Sequence, residues 1–120
     1  MGYDVHITRK QNWWDKNGPE IPLNDWIAIV EAETDMRPEG HAEVQPGGGR
    51  VVKYSNAGLA VWTAYSRHRE GVWFDLRRGN VVVKNPDQEI LRKMWSLAKI
   101  LSARVQGDEG EFYDATGNQI

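Results

Sequence analysis

The sequence predicts an α+β domain: a single antiparallel sheet of about five to seven strands, with two amphipathic helices on one of its faces. Three observations lead there. Residues 3–8 alternate apolar and polar side chains with a period of two. Segments 23–30 and 90–101 switch to helical spacing. The strand-like runs between them are joined by connections too short for anything but antiparallel neighbours.

At the start of the chain, Tyr3, Val5 and Ile7 share one side of a half-buried strand, and Asp4, His6 and Thr8 the other. Arg9 to Pro22 is polar and carries the turn signal Asn17-Gly18-Pro19, so it reads as a loop. Trp13-Trp14 lies within it, and side chains that large favour folding back onto the domain. Leu23, Trp26, Ile27 and Val30 then form one apolar helical stripe opened by Pro22. Arg37-Pro38 and Gly40 are read as its end, because a residue before proline avoids the helical region. The expected helix has about three turns.

Short β-like runs follow at 41–44, 50–54, 59–65, 72–76 and 81–84, with Gln45-Pro46-Gly47-Gly48-Gly49 as a turn. Arg78-Gly79-Asn80 reads as a tight hairpin. The second helix has an expected Asn85 cap, Pro86 at its first position, and Gln88 reaching back to the cap. Its apolar face is Ile90, Leu91, Met94, Leu97, Ala98 and Leu101. A last hairpin turns at 107–110 and returns at 111–113, and a loose tail is expected from Asp114. All 120 residues form one domain.

Composition narrows the function. Fifteen Lys+Arg against 17 Asp+Glu give a net charge of −2, which disfavours a role in coating nucleic acid. Cysteine is absent, excluding disulfides, thiolate metal sites and cysteine nucleophiles. The first residues lack the basic start and apolar run of a secretory signal, and His6 stands where myristoylation needs Ser or Thr. No run approaches the roughly 18 apolar residues of a membrane span. A cytoplasmic protein without membrane contact is the expectation.

No motif for catalysis stands out. Pro46-Gly47-Gly48-Gly49-Arg50 lacks the Lys-Ser/Thr of a phosphate-binding loop, and His6, His41 and His68 have no metal-ligand rhythm. The acidic turn at 108–111 lacks calcium-loop spacing and reads as solvated. No cofactor or metal is expected. Asp4 and His6, two apart on one strand face, have the spacing of a general base with its orienting carboxylate, or equally of a surface ion pair. Arg67-His68-Arg69 and Arg77-Arg78 serve solubility, or contact an acidic partner or RNA.

The strand parities assign Asp4, His6, Thr8, Trp62, Trp73, Asp75 and Arg77 to the face away from the helices, flanked by Trp13 and Trp14. Indoles beside ionisable groups resemble a protein-binding hot spot. The competing reading makes Trp62 and Trp73 cross-strand partners, or buries them under the Trp13-Trp14 loop as a second small core.

Residues 3–10 (YDVHITRK), 81–87 (VVVKNPD) and 103–111 (ARVQGDEGE), with the Leu23-x-x-Trp26 helix start, resemble a family of small bacterial cytoplasmic proteins across nearly the whole chain. Its members are similar in size and style to immunity proteins that neutralise a cognate toxin. The resemblance carries no catalytic or binding residues. It implies a non-enzymatic, immunity-type domain with a protein partner. The alternative is a small-molecule or nucleotide-binding domain, or an enzyme, using His6 and Asp4 beside Trp62 and Trp73. The sequence leaves the oligomeric state open.

Overall fold

A computed structural model describes residues 3–44 and 52–120, with side chains at all of these except 41–44 and 52–55. The turn read at 45–49 and the start of the following strand lie outside the described residues. The elements are β1 (Asp4–Thr8), α1 (Leu23–Ala32), β2 (Met36–Pro38), β3 (His41–Val44), β4 (Val52–Ser55), β5 (Leu59–Trp62), β6 (Val72–Arg77), β7 (Asn80–Lys84), α2 (Gln88–Ile100) and β8 (Arg104–Gly107). Six strands form one antiparallel sheet in the order β2-β5-β6-β7-β1-β8, and β3 pairs with β4 separately.

The first strand is therefore interior, placed between β7 and β8. Its alternation fixes the register. Val5 opposes Val83 and Gly107, and Ile7 opposes Val81 and Val105. Across the other half, Ala60 meets Phe74 and Trp62 meets both Val72 and Met36. These residues share one core with Trp26 and Val30 of α1 and with Ile90, Leu91, Met94, Leu97 and Ala98 of α2. Both helices thus pack on the same side of the sheet, as the sequence predicts, although of the α1 stripe only Trp26 and Val30 are fully buried and Leu23 stays exposed. Each large side chain fully buried there contributes about 1.5–3 kcal/mol. Trp26 also satisfies its indole N–H on the Gly58 carbonyl at 2.9 Å.

Four local expectations need correction. The first helix ends at Ala32, not near Arg37. Glu33 turns to extended backbone while its N–H still closes on Ile29 and Val30, and Met36–Pro38 pairs with β5 instead. Proline is tolerated on that edge because no ladder donor is needed there. The cap of α2 is Asp87, whose carboxylate accepts the Ile90 N–H at 3.0 Å. Asn85 adopts φ 48° and its side-chain oxygen accepts from the Tyr3 N–H, and Gln88 donates to Thr116 and Asn118 rather than to the cap. The strand at 59–65 stops at Trp62. Finally, the tail is ordered. The Asp114 N–H donates to the Asn118 carbonyl at 2.9 Å, its carboxylate accepts from Thr116 and Asn118, and Ile120 returns to Phe112.

Two turns follow the sequence closely. Arg78 and Gly79 both have positive φ, 51° and 81°, as the tight β6–β7 hairpin demands. The last hairpin closes through Gly107 N–H to Glu111 and Tyr113 N–H to Val105. Glu111 then accepts from both Tyr3 and Tyr113 hydroxyls. Burial, and next that bond to Glu111, push the Tyr3 phenol up to about 12.

Met94 is fully buried between α2 and the sheet. Met94→Ala is expected to lower unfolding free energy by about 2–5 kcal/mol, measured by urea denaturation, with no change in the far-ultraviolet dichroism of the folded protein.

Candidate functional site

The sheet face turned from the helices carries Asp4, His6 and Thr8 from β1, Gln106 from β8, Asn80 and Val82 from β7, and Trp73, Asp75 and Arg77 from β6. The pairs His6–Val82, His6–Gln106, Asp75–Val82 and Arg77–Asn80 establish this. Trp62 does not belong to it. Trp62 faces the helices, buried, with its indole N–H on the Asp35 carboxylate at 2.8 Å. The expected pair of outward indoles from β5 and β6 is therefore a single one, Trp73.

Nor is this face open throughout. His6, Thr8 and Asp75 are buried, contrary to the exposed placement expected for them. The loop from Arg9 to Pro22 folds over β8, β1 and the start of β7. Polar bonds hold it there. Thr8 donates to the Asn80 side-chain oxygen at 2.7 Å, and Asn80 donates to the Trp13 carbonyl at 2.8 Å. The Trp13 N–H returns to the Gln106 side-chain oxygen at 2.8 Å, while the Gln106 amide donates to Asn12 and Gly110. Lys10 is buried and donates to the carbonyls of Asp15 and Arg78 at 3.0 and 3.2 Å. The loop thus covers part of this face through polar bonds, but it does not bury Trp62 and Trp73 as a second small core: Trp62 lies on the helix side and Trp73 is half-exposed.

Under the loop the His6 ring stacks on Trp13, with centroids 3.9 Å apart and planes 6° from parallel. Trp14 stands edge-on to Trp13 at 5.6 Å. His6 Nε2 lies 3.0 Å from an Asp108 oxygen. Its carboxylate partner is Asp108 from the last turn, not Asp4, so that turn is not merely solvated. Burial alone would raise the Asp108 carboxyl, but the Asp4 N–H at 2.9 Å and the His6 ring outweigh it and hold the carboxyl below its ordinary value.

Two cavities adjoin along the face. One of about 730 Å³ lies against His6, Trp13, Trp14 and Asp108, and one of about 520 Å³ against Trp73, Asp75, Tyr65 and His68. Arg77 and Val82 border both, so the two cavities are neighbours. Trp14 is 50% exposed at the first and Trp73 is 45% exposed at the second. Asp75 accepts from Arg77 at 2.6 Å and also from Asn56.

Of the residues singled out from sequence, the structure gathers Asp4, His6, Trp13 and Trp14 at one cavity and Trp73 and Asp75 at the other, with Arg77 between them. Thr8 lies beneath the loop, and Trp62 is on the far side of the sheet. Sequence reasoning passed over Lys10, Asn80, Gln106 and Asp108. For Lys10 a signal existed: it continues the parity of Asp4, His6 and Thr8.

Among the described residues, no group of three or more histidines and carboxylates is arranged to hold a metal ion, and no helix is long and apolar enough to cross a membrane. Comparison with family models, curated proteins and solved structures gives no match.

Because the folded Asp108 carboxyl titrates below its unfolded value, its contribution to stability is complete above the ordinary carboxylate range. It is lost as pH falls through the depressed value, below about pH 4. Asp108→Asn is therefore expected to destabilise the protein at pH 7 and to make the melting temperature fall less steeply between pH 5 and pH 2 than in the parent. Parallel acid limbs for the two proteins would contradict the pairing.

Proposed function

We propose that this chain is a non-enzymatic protein-binding domain of the bacterial cytoplasm, an immunity-type inhibitor that binds a cognate toxin along the surface between Trp14 and Trp73. The observation that supports it is the pair of half-exposed indoles, Trp14 and Trp73, at two neighbouring cavities that share Arg77. Exposed tryptophan is costly to leave in water, and Trp and Arg are the residue types that concentrate binding energy in protein interfaces. Trp73 and Arg77 stand on a strand hydrogen-bonded on both sides, which limits the ordering cost of binding there. The likeness of residues 3–10, 81–87 and 103–111 to small bacterial cytoplasmic proteins of immunity-protein size is consistent with this reading.

The corrected position of Trp62 narrows the surface. Recognition is assigned to Trp14, Trp73 and Arg77, with Asp4 as a flanking charge, while the buried Asp75 carboxylate holds Arg77 in place. His6 and Thr8 are buried and support the loop that carries Trp14. The near-balanced net charge of −2 favours neither a strongly basic nor a strongly acidic partner.

Co-expression with the product of the neighbouring gene tests the proposal. Growth inhibition by that product is expected to be relieved by this chain. Trp73→Ala and Trp14→Ala are each expected to weaken the purified complex by about 2 kcal/mol, roughly 30-fold, while shifting the melting temperature little. Absence of rescue together with absence of complex by calorimetry would overturn the proposal. So would a complex indifferent to both substitutions.

A further inference from the structure

The cavity of about 520 Å³ differs in character from its neighbour. Leu59, Val72, Val82 and Ile90 border it with apolar side chains, and Tyr65 and Trp73 add flat rings. Trp73 is 45% exposed, so its indole is accessible without any movement of the chain. The wall on the Tyr65 side is held in place. The Tyr65 hydroxyl donates to the Asp87 carboxylate at 2.6 Å, and Ser66 donates to Glu89. Gly71 sits at φ 89°, where a Cβ would lie 2.4 Å from the Trp62 carbonyl oxygen, so glycine closes that turn. The volume lies within the range of small-molecule sites, about 300–1,000 Å³, which combine an apolar lining with a few polar groups.

The polar groups select the ligand. Asp75 is the only carboxylate among the described residues bordering the cavity. It is buried and accepts from Arg77 at 2.6 Å and from Asn56. Against it stand Arg77, Lys84 and the ring of His68. Lys84 is exposed at the end of β7, and its ammonium makes no ion pair or hydrogen bond with the described residues. Asp4 opposes it across the ladder, yet Asp4 borders only the other cavity and is not paired with it. The next residue, Asn85, accepts the Tyr3 N–H on its side-chain oxygen at 2.8 Å. That bond orients the amide and leaves its NH2 without a partner among the described residues. Two consecutive side chains on one apolar cavity thus offer unused donors, one of them charged. A carboxylate only accepts, and its single negative charge matches a single unpaired ammonium. An arene on the same molecule suits the exposed indole.

We propose that this cavity binds an aromatic carboxylate. The ring lies against Trp73 and the aliphatic lining, and the carboxylate accepts from the Lys84 ammonium and the Asn85 amide. Arg77 stays with Asp75. The site does not rest on the protein-binding reading, because Lys84 and Asn85 take no part in that surface. The two share Trp73, and variants on either side of it separate them: Lys84→Met alters only the ligand site, and Trp14→Ala only the protein-binding surface.

The test is a titration of the full-length protein at neutral pH with benzoate, indole-3-acetate and 1-naphthoate, each against its neutral carboxamide. Binding is followed by the indole N–H resonance of Trp73 and the methyl resonances of Val72 and Val82. At least one carboxylate is expected to move all of them and to bind about fivefold more tightly than its carboxamide. Lys84→Met keeps an apolar stem but removes the charge. It is expected to bring the carboxylate down to the affinity of the carboxamide and to leave the carboxamide unchanged. Trp73→Ala is expected to weaken both about tenfold, and Trp14→Ala neither. The proposal is overturned if no carboxylate moves the Trp73 resonance at millimolar concentration, or if the carboxamide binds as tightly. It is equally overturned if Lys84→Met leaves the preference intact, or if octanoate binds as well as the aromatic acids. A carboxylate that binds where no protein complex forms sustains this site while the protein-binding reading falls, and a complex without carboxylate binding does the reverse.

Discussion

Gln106 has no solvent exposure, yet it lies on the face of edge strand β8 turned from the helices. An amide in that position must find partners or cost about 1–3 kcal/mol for each group left unmade. It finds three: the Trp13 N–H, the Asn12 side chain and the Gly110 carbonyl. Those bonds, with Asn80 on the Trp13 carbonyl, decide where the loop at 9–22 rests. The loop position in turn decides which parts of the sheet face are covered, where Trp14 is displayed, and that His6 lies beneath Trp13. Remove the amide, and the cover over β1 loses its register.

Much of the fold is legible because local pattern and tertiary role agree. The alternation of Tyr3 to Thr8 specifies both a strand and its faces, since an apolar set and a polar set can be sorted without ambiguity. The stripe from Ile90 to Leu101 specifies α2 for the same reason. The segment Leu59-Ala60-Val61-Trp62 is different. All four side chains are buried, and a strand apolar on both faces carries no signal of which face is which. That is why Trp62 could not be placed from sequence while Trp73, one residue from a buried Phe74 in a clearly alternating strand, could.

The candidate site is less legible, and the reason is distance along the chain. Asp108 reaches His6 from 102 residues away, and Asn80 reaches Trp13 across 67. No spacing rule relates such residues, because the juxtaposition comes from placing β1 between β7 and β8. A similar limit applied to the end of α1. Glu33 and Asp35 leave helical conformation and together hold Lys93 of α2 at 2.6 and 2.9 Å, with the Trp62 indole on the same Asp35 carboxylate. Burial opposes ionisation of Asp35, but Lys93 and Trp62 prevail and keep its carboxyl below the usual range. A partner on another helix, not the local sequence, sets that chain reversal.

The two sides of the sheet are therefore closed by different physics. On the helix side the cover is apolar, and lifting it would return Trp26, Met94 and Leu97 to water at a cost that no ligand contact offsets. On the other side the cover is a loop without regular structure, fastened by hydrogen bonds worth about 0.5–1.5 kcal/mol each in net terms and by the stack of Trp13 on His6. Local opening follows the cheaper side. The proposed binding surface lies on this loop side, with its exposed indoles, while the helix-backed core on the other side holds the strands beneath in fixed register.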